Sequence, residues 1–190
     1  MAKQLEAQKK IDSFIYTATN ELLQSKAGNL PFTKGPSQKS NLVFREYLSA
    51  ILLANSDFKL LYMIHFWLED AKKLANGLLK TDSSEVEYWR AIDFFKEYCN
   101  IIAGKAKKAF ENIDIQLVQS LPIGISGYNL TLFEEKSVRE RCLHWTQRYD
   151  QIELDFSTRY SILNTKIINK LATFPQYEDI RDDTESIEFF

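Results

Sequence analysis

The sequence predicts an all-α protein, a helical bundle of about five helices, on three observations. Turn-forming residues are scarce: six Gly and four Pro in 190 residues are few for a sandwich or barrel, which needs many tight turns. Apolar residues recur at helical spacing along much of the chain. The run Val138, Cys142, Trp145, Tyr149, Ile152, Phe156, Leu163, Ile167 and Leu171 steps by 4, 3, 4, 3, 4, 7, 4 and 4, close to a heptad seam.

The first helix is predicted over residues 3–26, where Ile11, Phe14, Ile15, Ala18 and Leu22 share a face; Gly28 and Pro31 stop it. Residues 27–40 hold two Gly and two Pro and read as a loop. A second helix is predicted over 38–55, with a wide stripe of Val43, Phe44, Tyr47, Leu48, Ile51 and Leu52 that suits a central position. Asn55, Ser56 and Asp57 end it, and a third helix over 58–79 either starts there or continues the second through a kink. Asp82 and Glu85 have capping-box spacing for a fourth helix reaching 111, with Tyr88, Trp89, Ile92, Phe95, Cys99, Ile102, Ala106 and Phe110 at helical spacing. Over 113–133 the period changes. Ile113, Ile115 and Leu117, then Tyr128, Leu130 and Leu132, alternate with polar residues around a Gly/Pro connection, which predicts a small β-hairpin or an ordered loop. The fifth helix is predicted over 135–173, roughly 55–60 Å if straight, with Pro175 beyond its end.

Composition bounds the function. The net charge of −2 gives the whole chain no bias toward nucleic acid. Charge is uneven, at 6 − 3 = +3 over residues 1–40 and 1 − 6 = −5 over 175–190. Residues 1–174 therefore read as one domain and 175–190 as a mobile acidic tail. Two cysteines make no disulfide framework. The start MAKQLEAQKK lacks the apolar stretch of a signal peptide. Charged residues interrupt the apolar region 42–79 before it reaches the ~20 residues of a membrane span. A cytoplasmic protein without membrane contact is expected.

Few residues point to chemistry. There is no phosphate-binding loop and no dinucleotide fingerprint. The cysteines stand alone, and Glu140 and His144 have no second pair for a di-iron site. No metal and no cofactor are expected. Gly124 to Gly127 matches a G-x-x-G loop but lacks nearby Lys or Arg, so it reads as a turn. His65, within LLYMIHFWL, reads as a packed histidine with Glu69 one turn on as its partner.

Residues 139–144 read Arg-Glu-Arg-Cys-Leu-His. Arg139 and His144 form R-x4-H with apolar residues before the histidine, which resembles the HEPN superfamily of helical-bundle, metal-independent ribonucleases. The resemblance implies a symmetric homodimer that brings two Arg/His pairs to one cleft. It implies that His144 moves the proton of an RNA 2′-hydroxyl and that Arg139 stabilises phosphate charge, roles that imidazole and guanidinium suit. Arg141 and Arg148, with Trp145 and Tyr149 nearby, would form a basic surface for RNA. The tail ends in Ile187, Glu188, Phe189 and Phe190, whose apolar members could dock on a basic, grooved protein. The sequence thus points first to a non-catalytic helical binding protein, an accessory, inhibitor or immunity-type subunit with a protein partner. The alternative is a HEPN-like ribonuclease using Arg139 and His144.

Overall fold

Two stretches that read as helices are hairpins of strands. The computed structural model describes residues 2–26, 31–34, 46–79, 87–126 and 140–179. The elements are α1 (Ala2–Lys26), β1 (Thr33–Lys34), β2 (Tyr47–Ala54), β3 (Phe58–Phe66), α2 (Leu68–Leu79) and α3 (Tyr88–Glu111). They continue with β4 (Val118–Gln119), β5 (Ile123–Ser126), β6 (Glu140–Tyr149), β7 (Ile152–Ile162) and α4 (Ile168–Leu171). Among the described residues, seven strands form one antiparallel sheet in the order β1-β6-β7-β3-β2-β4, with β5 also on β2. The all-α class is therefore corrected to a mixed fold of helices on an antiparallel sheet.

The first helix is α1 and the fourth contains α3, as their stripes predict. The second helix is β2, and the third is β3 followed by α2. The wide apolar stripe has a different cause from the one inferred. β2 and β3 bury residues on both faces of the sheet, so both faces of these strands are apolar. Ile51, Leu53, Leu60, Tyr62, Ile64 and Phe66 enter the main core with α1 and α3, while Leu48, Ala50 and Met63 form a second cluster on the other face. Asn55 turns the chain: its Oδ1 accepts from the N–H groups of Asp57 and Phe58, each at 2.8 Å, and its own N–H donates to the Phe58 carbonyl at 2.9 Å. Such an Asx turn competes with a helix.

The long fifth helix is replaced by β6, β7 and α4. The chain reverses at Asp150, whose φ of 50° is a left-handed conformation that Asp tolerates. Residues 113–133 do not make one hairpin among the described residues. Val118–Gln119 and Ile123–Ser126 both pair with β2, one after the other along the same edge. Ile113, Ile115 and Leu117 anchor the preceding segment in the core, and Tyr128, Leu130 and Leu132 lie outside the described residues.

α1 and α3 pack on one face of the sheet. α3 buries Ala91, Phe94, Phe95, Tyr98, Cys99, Ile102, Ala103, Ala106, Ala109 and Phe110, one stripe at steps of three and four. Tyr98 donates to the Thr19 carbonyl, and the Thr19 hydroxyl lies 3.1 Å from the Tyr62 hydroxyl, so α1, β3 and α3 share a buried polar contact. Phe174 and Tyr177 close the core at its end, each ring 5.5 Å from Phe14. Tyr177 lies inside the stretch that reads as tail, whose residues from 180 onward lie outside the described ones. No described helix is long and apolar enough to cross a membrane.

Candidate functional site

Among the described residues, those that the sequence marks for chemistry do not come together. Arg139 lies outside the described residues. His144 sits on β6, largely covered, with Nε2 3.8 Å from Asp155 Oδ1. Successive residues of a strand face opposite ways, so Arg141 points to the other face of the sheet. There its Nη2 and Nε meet Asp12 Oδ2 at 2.6 and 2.7 Å. Burial holds the Asp12 carboxyl above its ordinary range, although Arg141 pulls it down. Arg148 is paired with Glu153. Trp145 is buried with its ring stacked 5.6 Å from Phe156. The helical surface that would have joined Arg141, His144 and Arg148 is therefore corrected to two faces of one strand. Ile187, Phe189 and Phe190 lie outside the described residues. His65 is buried, 3.4 Å from Ser157 Oγ, and Glu69 instead pairs with Lys72. A groove of about 200 Å³ beside α1 is lined, among the described residues, by Tyr16, Asn20, Leu23, Gln24, Phe32, Lys34 and Gln147, with Lys34 its one charged side chain.

A different constellation lies on α3. Asp93, Glu97, Asn100 and Gly104 are four, three and four residues apart, which places them on one stripe opposite the buried one. Neighbouring side chains on such a stripe are about 5–6 Å apart at Cβ. Asp93 is exposed and pairs with Lys96 at 2.9 Å. Glu97 is partly exposed and has no hydrogen bond or ion pair among the described residues. Asn100 Oδ1 accepts from Gln119 Nε2 at 2.6 Å, so β4 grips the centre of the stripe. Gly104 is exposed, with open space where a side chain would be.

The sheet edge next to this stripe is closely fitted. A Cβ on Gly124 would lie 2.9 Å from Ile92 Cγ2 and 3.0 Å from Lys96 Cε, so the glycine lets β5 close on α3. The same edge leaves large apolar residues in water: Val118 is 76%, Leu121 85% and Ile123 51% exposed, and Trp89 at the start of α3 is 53% exposed. Apolar surface at one edge is suited to contact with another macromolecule. The arrangement offers two carboxylates and an amide. These can orient a water molecule and pair with a cation. Its signal in the sequence is D-x3-E-x2-N on the polar side of a helix whose apolar side carries the periodicity.

The family model described as chemotaxis phosphatase CheX matches residues 48–145, just over half of the chain, including all of α3. No curated protein sequence matches the chain. Three solved structures have the same fold. A CheC-like superfamily protein from Shewanella sp. PV-4 is 18% identical, with a TM-score of 0.65, covering 80% of this chain and 97% of that one. Chemotaxis protein CheX from Vibrio vulnificus is 13% identical, with a TM-score of 0.65, covering 80% and 99%. The CheX–CheY–BeF3–Mg²⁺ complex from Borrelia burgdorferi matches at 19% identity, with a TM-score of 0.63, covering 80% and 97%. The likeness to HEPN proteins is overturned by this match and by the sheet, and the expectation of RNA cleavage falls with it.

Proposed function

The chain belongs to the CheX family of chemotaxis phosphatases, and from that premise we propose that it hydrolyses a phosphoryl group carried by a CheY-type protein, with the α3 stripe as its working surface. The observation that carries this reading is the stripe itself. Asp93, Glu97 and Asn100 face solvent within the family-matched segment, beside an apolar rim suited to a protein partner. The beryllofluoride in the Borrelia complex is a tetrahedral mimic of a phosphoryl group, which suits the same substrate class.

The chemistry fits these residue types. Phosphoryl transfer to water passes through a loose transition state, so catalysis is mostly positioning and electrostatics rather than covalent attack by the protein. Water's oxygen bonds to phosphorus as the bond to the partner's oxygen breaks, and that electron pair stays with the partner. Both of the water's protons leave with inorganic phosphate. The Asn100 amide can hold the water or a phosphoryl oxygen in line, and its helix fixes its position. Glu97, without an ion pair among the described residues, is placed to meet a cation of the partner. The expected non-catalytic protein thus gives way to an enzyme whose substrate is itself a protein.

The test is phosphate release from CheY of the same genome, phosphorylated with acetyl phosphate. Wild-type protein should accelerate release, and Asn100→Ala should lower kcat by about 10²–10³. Glu97→Gln should chiefly raise KM and flatten its salt dependence, as loss of a charge contact at an interface does. An Asn100→Ala protein as fast as wild type would rule out this site.

A further inference from the structure

We infer that Gln119, on the edge strand β4, is a positioning residue that sets which end of the Asn100 amide faces the phosphoryl group. The inference rests on the reading of Asn100 given above. A side-chain amide has two unlike ends, an acceptor oxygen and a donor nitrogen, and the two can exchange by rotation about χ2. On an open helix face nothing would choose between them. Here Gln119 Nε2 donates to Asn100 Oδ1 at 2.6 Å, which ties the oxygen toward β4. Asn100 Nδ2 has no hydrogen bond among the described residues and is not among the buried polar atoms without partners, so it is open to solvent. The exposed end is therefore the donor, and the incoming group is negatively charged. Two N–H donors facing a phosphoryl group stabilise charge that builds on its oxygens, whereas a carbonyl oxygen in that place would repel it. The second lone pair of Oδ1 stays available for a water proton.

β4 is well built for this task. It is only two residues long and pairs with β2 through Leu53↔Gln119 and Ala54↔Val118. Ser120 holds the next position, its N–H donating to the Leu52 carbonyl at 2.8 Å and its Oγ accepting from the Leu52 N–H at 3.0 Å. Asn55 Nδ2 binds the Gln116 carbonyl at 2.8 Å from the preceding side. Gln119 is thus anchored on both sides, and the amide–amide contact joins a fixed strand to a fixed helix.

The decisive substitutions are Gln119→Leu and Gln119→Glu, assayed for phosphate release alongside Asn100→Ala. The Leu variant loses the donor. The Glu variant keeps size and shape but offers an acceptor, so Asn100 must turn its Nδ2 toward β4 and expose Oδ1. Each should lower kcat by about tenfold or more, the worth of one orienting hydrogen bond, with KM within about twofold. Protonating the new carboxyl restores a donor, so kcat of the Glu variant relative to wild type should climb as pH falls from 7.5 toward the ordinary Glu value of about 4.3. The same ratio for the Leu variant should stay flat.

A contact that merely joins β4 to α3 predicts otherwise. Gln119→Glu would then keep wild-type kcat, because its carboxylate still binds the Asn100 amide. That result overturns the inference, as does an effect of both variants on KM alone. If Asn100→Ala is inactive while both Gln119 variants are fully active, only the inference falls. If Asn100→Ala is fully active, the assignment of the site falls with it. Side-chain amide NMR of the wild-type protein reads the same question without substitution. The Gln119 amide should hold one slowly exchanging proton while both Asn100 amide protons exchange freely, and the reverse pattern overturns the orientation.

Discussion

Asp12 and Arg141, 129 residues apart, join α1 to β6 by a pair of charge-assisted contacts with Tyr160 beside them. Arg141→Leu should destabilise the fold by about 1–3 kcal/mol, less than a fully buried pair because Arg141 is partly exposed. The loss should depend on pH. Burial already raises the Asp12 pKa, and removing the guanidinium raises it further. A raised carboxyl favours folding when protonated and opposes it once pH rises through its folded value. The gap to wild type should therefore be largest at pH 7 and narrow as pH falls toward 4, measured by urea melts. Gly104 offers a second test one turn beyond Asn100. Gly104→Ala should stabilise the protein by about 0.5–1 kcal/mol, since a methyl there meets nothing. If a partner lies along the stripe, the same methyl should raise KM, so stability and activity should move in opposite directions. At this scale the site was hard to read because an amide and two carboxylates on a helix look like any solvated face. His144, Arg141 and Arg148 drew attention because their residue types are those of familiar catalysis.

The β2–β3 turn shows why hairpins passed for helices. Asn55 makes four of the contacts that shape it, including the Nδ2 bond to Gln116. Asn55→Ala should cost about 1–3 kcal/mol by leaving several N–H and C=O groups without partners, visible as a lower midpoint in thermal melts. Asn55 and Asp150 bend the chain without Gly or Pro, so counting only those two residues understated the turns. The β6–β7 hairpin was legible in part. Ile152, Leu154 and Phe156 alternate with Glu153, Asp155 and Ser157, which is period two. The apparent heptad arose because Trp145 to Tyr149 and Ile152 to Phe156 are even steps along strands, and the three-residue step between them crosses the turn. α1 and α3 were legible because each is a helix of more than 20 residues whose buried side keeps a 3.6-residue stripe. β2 and β3, covered on both faces, have no period with which to declare themselves.

Over the whole molecule, the core draws on both ends of the described chain. Tyr177 packs on Phe14, and the Lys105 ammonium lies 5.4 Å from its ring centre. Tyr177→Ala should cost about 2–4 kcal/mol by emptying a buried site, and truncation after Phe174 should cost at least as much. Truncation after Asp179 should cost less, and equal melting of the two truncations would show that the Tyr177 packing contributes nothing. The family-matched residues 48–145 contain the working stripe but not its support: β6 pairs with β7, β3 also needs β7, and α1 covers the sheet. This order of pairing bears on how the protein is made. On the ribosome α3 emerges long before residues 152–162, so β3 must wait with one edge unsatisfied until nearly the whole sheet has been translated. Contacts this distant in sequence form slowly, and a waiting apolar strand invites wrong pairing. The nascent chain should therefore depend on chaperones late in synthesis and gain protease resistance only after β7 has left the exit tunnel.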